Sequence, residues 1–176
     1  PEAEHARLSL EIERRLGADF LARAQDVFWM MSVVDDARIA VAQGVREQGV
    51  SCMHDATECG IYGALWEIAD ASGLGLIVDR DAIVTVPECI ELCAALDLDP
   101  YACISEGTLV LTCRPQAADR IVEALEGAGI PASVCGQMRP REEGIRIIEG
   151  GVERDLQHTR VDPFWQAFGK ALAGGN

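Results

Sequence analysis

Residues 50–60, Val-Ser-Cys-Met-His-Asp-Ala-Thr-Glu-Cys-Gly, gather more chemistry-bearing groups than any other stretch of the chain. An apolar run of strand character, Val50–Met53, ends at His54-Asp55. A helical pattern follows from Thr57, with Gly60 in its first turn. Such a junction brings an imidazole, a carboxylate, a hydroxyl and unpaired backbone N–H groups to one place. The N–H groups of Glu58, Cys59 and Gly60 at a helix start suit an anion, and Gly60 leaves room for its approach. A plainer reading uses the same residues: Asp55 as N-cap and Glu58 three positions on form a capping box. His54 is either a structural imidazole at a strand end or a proton carrier. Farther along, Ser105-Glu106-Gly107 precedes a second strand. Glu106 is either a solvated turn residue or, where the sheet brings it beside His54, half of a carboxylate–imidazole pair able to move protons.

The 176 residues suffice for one domain with a core, and 49% hydrophobic with 25% charged residues is an ordinary globular balance. The net charge of −14 repels polyphosphate backbones, so nucleic acid is not an expected partner. Any phosphate site must then be built locally, from backbone N–H groups or a supplied metal ion. No apolar run reaches the roughly 20 residues of a membrane span, and the charged opening residues do not read as a signal peptide. A cytoplasmic protein is expected. The seven cysteines include no Cys-x-x-Cys pair and read as reduced, buried thiols. Cys89 and Cys93 share a helix face, but no spacing supplies two further ligands, so no metal site is expected. Gly73-Leu-Gly75 reads as a turn, because it follows a helix and lacks the Lys-Ser/Thr of a phosphate loop. The chain opens at Pro1 straight into a helical pattern, as a segment of a longer protein would.

Residues 1–48 read as a helical arm packed on the domain formed by residues 49–176. Leu8, Ile12 and Leu16 repeat at helical spacing, Gly17 interrupts, and a second helix runs toward the apolar knot Trp29-Met30-Met31. That knot is either core or a face that a missing partner covers. A third helix starts after Val33. Beyond Val50 the pattern is mixed: helix 57–72 with Ile61, Ala64, Leu65 and Ile68 inward, strand 76–78, and a helix opened by Pro87. Strand 108–113, helix 115–126 and strand 132–137 read as a β-α-β unit with a right-handed crossover. Glu149-Gly150-Gly151 joins 145–148 and 152–156 as a hairpin. A short helix from Asp162 to Ala171 is anchored by Phe164, Trp165 and Phe168, and Ala-Gly-Gly-Asn closes the chain as a frayed end. The fold class is α+β, a mixed sheet of about four to six strands with packed helices.

The block from Met53 to Gly75, with its His54-Asp-x-Thr-x-x-Gly60 form, resembles the start of the C-terminal domain of the aminoimidazole-ribonucleotide synthetase superfamily. With Ser105-Glu106-Gly107-Thr108 it is most similar to the hydrogenase-maturation branch of that family. The resemblance runs from about Leu16 to Val152. It implies an α/β sandwich that forms the substrate side of an ATP-dependent enzyme, one that activates an amide- or thioamide-type oxygen by phosphorylation. ATP and Mg2+ would sit mainly in an N-terminal domain absent from this sequence; neither is expected on this half alone. The full-length form would pair as a homodimer and act on a small molecule or a peptide terminus. His54 and Glu106 would be catalytic, with Asp55, Thr57, Glu58, Cys59, Gly60 and Gly107 around the substrate or its phosphate. Two features depart from the pattern. The family usually has Gly-Gly where this chain has Cys59-Gly60. The maturation branch ends in a Pro-Arg-Ile-Cys-like tail, whereas this sequence ends Ala-Gly-Gly-Asn with no Cys after 135. The alternative is a non-catalytic module that binds a small anion or dimerises.

Overall fold

The computed structural model describes residues 2–173, with side chains over 9–170. The frayed end expected at 174–176 lies outside the described residues. Helix α1 (Glu2–Leu16) stops at Gly17, and α2 (Ala18–Asp26) passes into a 3-10 turn at Val27–Met30 before α3 (Val34–Ala42). Strand β1 (Val50–Asp55), α4 (Gly60–Ser72), β2 (Gly75–Asp79), α5 (Pro87–Ala95), β3 (Leu109–Cys113), α6 (Ala118–Gly127) and β4 (Gly136–Arg139) follow. The hairpin β5 (Ile145–Glu149) and β6 (Val152–Asp155) and then α7 (Pro163–Ala173) complete an α+β fold. Helices α1 and α2 pack on each other and on α5, while α3 packs on α6 and β1.

The strands form two sheets instead of one. β1 and β3 pair antiparallel; the other four run in the order β4-β2-β5-β6. The expected β-α-β unit is therefore corrected. β3 and the strand after α6 lie in different sheets, and β4, which runs 136–139 instead of 132–137, pairs antiparallel with β2. The parallel pair is β2–β5, made between strands far apart in sequence. The hairpin turn forms as expected, with both glycines left-handed at φ 54° and 79°. A two-residue turn of this handedness matches the twist of the flanking strands.

Helix α4 packs against β2 of the larger sheet and against both strands of the smaller one. This explains why its buried set is wider than one stripe: Tyr62 and Ala69 are buried beside Ala64, Leu65 and Ile68, and Ile61 is only half-buried. They meet Leu76, Val78, Ile147, Val110 and Leu156 in the main core. A second cluster joins Ala40, Val50, Ile121 and Leu125 on the far side of the β1–β3 ribbon. The ribbon serves both cores through an irregularity between Val50 and Cys52. A one-residue bulge reverses the alternation of faces, so Val50 joins the α3–α6 cluster while Cys52 turns toward α4.

Of the two readings of the Trp29-Met30-Met31 knot, the core reading does not hold: Trp29 is 80% exposed, and Met30, Met31 and neighbouring Phe28 are exposed beside it. One expectation about α7 is corrected. Trp165 does not anchor α7 and is 50% exposed; Phe164 stacks on Phe168 with ring centres 5.6 Å apart. Ile147, 0% exposed on β5, sits where α4 meets the sheet. Ile147→Ala should cost about 2–5 kcal/mol of unfolding free energy in a urea titration, from lost transfer energy plus a cavity.

Candidate functional site

The β1–α4 junction is positioned by β3. Ala56 N–H donates to Thr108 O at 2.9 Å, and Ser105 N–H donates to Thr57 O at 3.0 Å. The Ser105-Glu106-Gly107 turn thus lies over Ala56-Thr57, and Glu106 shares one rim with Asp55, Thr57 and Glu58, all solvent-exposed. Gly107 is left-handed, and a Cβ there would stand 2.3 Å from Met30 O. The exposed 28–31 turn therefore borders this rim.

The helix start differs from the expectation. Helix α4 begins at Gly60, not Thr57, and Asp55 is the last residue of β1, so the Asp55–Glu58 capping box does not form. Cys59 and Gly60 are both left-handed, at φ 61° and 59°. Glycine adopts this conformation freely, whereas Cys59 carries a backbone penalty of about 1–2 kcal/mol. The space at Gly60 is not open to an anion: an added Cβ would lie 2.5 Å from Cys103 O and 2.8 Å from Tyr101 O. The donors are also occupied. Cys59 N–H donates to Asp162 Oδ2 at 2.6 Å, and Gly60 N–H donates to Thr57 O at 3.1 Å. Glu58 N–H has no partner among the described residues.

Asp162 is the carboxylate that fills the expected anion position. It is 2% exposed, and its other oxygen accepts from Phe164 N–H at 2.8 Å. One side chain thereby caps α7 and ties the segment after β6 to the start of α4. The Asp162-Pro163 pair is a readable signal of a helix start, with Pro in the first turn. Its second bond, to a residue 103 positions earlier, has no sequence signal.

His54 faces α4 from the position opposite Val110. Its Nε2 is 2.6 Å from Glu67 Oε2, and Glu67 Oε1 is 3.3 Å from His158 Nε2. Two imidazoles therefore flank one carboxylate. Because an ionised carboxylate only accepts, the close contact assigns the His54 proton to Nε2 and leaves Nδ1 as the acceptor in the neutral ring. That nitrogen is 3.8 Å from Asp55 Oδ1. The His54 hydrogen bond, aided by that of His158, holds the Glu67 carboxyl below its usual value against the opposing effect of burial. No hydrogen bond or ion pair joins His54 to Glu106 among the described residues; the carboxylate partner of His54 is Glu67. Sequence reading missed Glu67 and His158. Glu67 could have been noticed as an acidic residue interrupting the apolar run of α4, whereas nothing local marks His158.

Among the described residues no group of three or more His, Cys, Asp or Glu side chains is arranged to hold a metal ion. Nor is any helix long and apolar enough to cross a membrane.

Asp162→Ala strands two N–H groups and should destabilise the fold by about 2–3 kcal/mol, read by chemical denaturation. Glu67 gives a pH signature. Its folded pKa is depressed from 4.5, so its stabilising contribution is present above that value and is lost as pH falls through the lower folded value. The stability gap between the native chain and Glu67→Gln should therefore narrow as pH drops below about 4.5. A gap constant from pH 7 to 3 would show that Glu67 gains nothing from its imidazole partners.

Comparison with known proteins gives these features a context. The chain is 30% identical to the carbamoyl dehydratase HypE of Cupriavidus necator over 155 residues, covering 81% of this chain and 40% of that protein. The crystal structure of E. coli HypE, a hydrogenase maturation protein, superposes with a TM-score of 0.64 at 26% identity, over 77% of this chain and 42% of that one. A hydrogenase maturation protein HypE in complex with ATP gives a TM-score of 0.61 at 25% identity, over 72% of this chain and 41% of that one. The chain thus spans less than half the length of the relatives it matches. Residues 6–149 match the family described as AIR synthase related protein, C-terminal domain, and the chain belongs to that family.

Proposed function

We propose that this chain is the substrate-side half of an ATP-dependent enzyme related to the carbamoyl dehydratases. In that reading it activates an amide- or thioamide-type oxygen by phosphorylation once joined to a nucleotide-binding half. The observation that carries the reading is the pairing of 105–108 over 56–57. It lines up Asp55, Thr57, Glu58 and Glu106 on one solvent-facing rim, with the His54 imidazole just behind. Support also comes from the family match and from a relative whose structure was determined with ATP.

The roles follow from chemistry. Glu106, exposed on a fixed turn, takes the substrate proton as oxygen attacks phosphorus. His54, its Nε2–H held by Glu67, offers Nδ1 to the rim as an acceptor or, once protonated, as a donor. Thr57 Oγ1 and the Glu58 N–H supply neutral donors for the phosphorylated oxygen. Cys59 and Gly60 help by shape, since their N–H groups are already bonded within the chain, and Gly107 keeps the turn low against Met30. When bound, ATP supplies the phosphoryl group and Mg2+ offsets its charge. The family resemblance assigns both mainly to the other half, and among the described residues no group of side chains is arranged to hold a metal ion. That half is the expected cover of the rim, docking on residues 28–31 of this chain; homodimer pairing and a cytoplasmic setting complete the proposal. The anion-sensor alternative is weakened because two of the three expected backbone donors are taken.

In the complete protein, Glu106→Gln should lower the rate of substrate-dependent ATP hydrolysis by about 100-fold or more, the scale of general-base catalysis. His54→Ala should lower it more modestly, and circular dichroism should show both variants folded. The fragment alone should hydrolyse no ATP. Undiminished rates in both variants would remove these side chains from the mechanism.

A further inference from the structure

The sulfur atoms of Cys93, near the end of α5, and Cys103, in the loop beyond it, lie 3.7 Å apart. The chain reverses between them: Asp97 is left-handed at φ 56°, Leu98 N–H returns to Cys93 O, and Cys103 N–H bonds Asp99 O. This reversal is locked from the other side. Tyr101 O accepts from Tyr62 N–H at 3.0 Å, Cys103 O lies over Gly60, and Ser105 N–H reaches Thr57. The two thiols are therefore held together by the fold, at the root of the turn that presents Glu106. All seven cysteines are free thiols, and Cys89, one turn before Cys93, is exposed.

We propose that Cys93 and Cys103 form an oxidation site that closes to a disulfide when the protein meets a small hydroperoxide. The sulfur-to-sulfur distance must shrink from 3.7 Å to about 2.05 Å, a shift that one loop and the end of one helix can absorb. With hydrogen peroxide the chemistry balances. One sulfur attacks a peroxide oxygen, the O–O bond breaks, and that cysteine becomes a sulfenic acid with release of water. The second sulfur displaces the sulfenic oxygen, which leaves as a second water carrying the remaining thiol proton. Two thiols lose two electrons, and the peroxide gains them. The two sulfurs face each other at this distance, so whichever is oxidised first has the other in place to resolve it. Cys103 is 4% exposed, so the oxidant must be close to water in size. Closure would fasten α5 to the loop leading into Ser105-Glu106-Gly107, whatever reaction that turn serves.

The test treats the folded, reduced full chain with hydrogen peroxide, alkylates the remaining thiols and maps the digest by mass spectrometry. The expected result is loss of two of the seven thiols and a cross-linked peptide joining 93 to 103 that dithiothreitol cleaves. Cys89→Ser should keep that cross-link, and Cys103→Ser should abolish it while leaving circular dichroism unchanged. A different pairing, or higher oxides on 93 and 103 without a cross-link, would overturn the proposal. So would a folded chain whose thiols at 93 and 103 stay fully alkylatable while the urea-unfolded chain oxidises.

Discussion

Helix α4 can lie between two sheets only because its first turn is clasped from three directions. Left-handed Gly60 lets the carbonyls of Tyr101 and Cys103 press where a side chain would stand. Left-handed Cys59 turns its N–H away from the helix, where the buried carboxylate of Asp162 accepts it. The carbonyl of Thr57, two residues before Cys59, accepts the Ser105 amide. Fixing this turn fixes the end of β1, the 99–105 loop and the segment after β6 together. The strain of a non-glycine residue in the left-handed region is offset by a charge-assisted hydrogen bond in a dry setting. The same clasp changes the chemistry of the junction. A helix start that would attract an external anion is neutralised by an anion the chain itself supplies.

What remains open to solvent is a rim of neutral donors and carboxylates, with an imidazole behind it. Glu67 divides its two oxygens between His54 and His158, so α4, β1 and the C-terminal segment share one polar contact. In a chain of net charge −14, such a rim is poorly suited to gathering phosphate unaided. The proposed function brings that charge from a nucleotide-binding half, and the chain spans less than half the length of the relatives it matches. The exposed aromatic and methionine side chains at 28–31 border the same rim, and an apolar patch of this kind ordinarily meets another surface.

Local patterns marked most of the elements correctly. Apolar spacing at i, i+4 and i+8 placed α1, Pro87 opened α5, and Gly150-Gly151 specified the β5–β6 turn. These signals act within one helical turn or one hairpin, where neighbouring residues decide the backbone. Patterning did not reveal that the six strands divide into two sheets, because strand partners are chosen by burial over long sequence separations. The irregularity beside Ser51 was likewise invisible, although it lets Val50 and Cys52 serve different cores. The knot at Trp29 stayed open between core and an uncovered face because apolar composition does not record which surface is left uncovered.

By itself the sequence determined the α+β character, the strand-to-helix junction at 54–60, the Glu106 turn and the family, because each is written in contiguous residues whose types constrain the local backbone. Only the tertiary structure decided which groups meet. It set the His54 imidazole against the Glu67 carboxylate, placed Asp162 on the Cys59 amide, and brought Cys93 against Cys103. Those contacts cross loops of 10 to 103 residues. Over such separations it is the packing of α4 and its neighbours, and not any local preference, that sets the distance between two side chains.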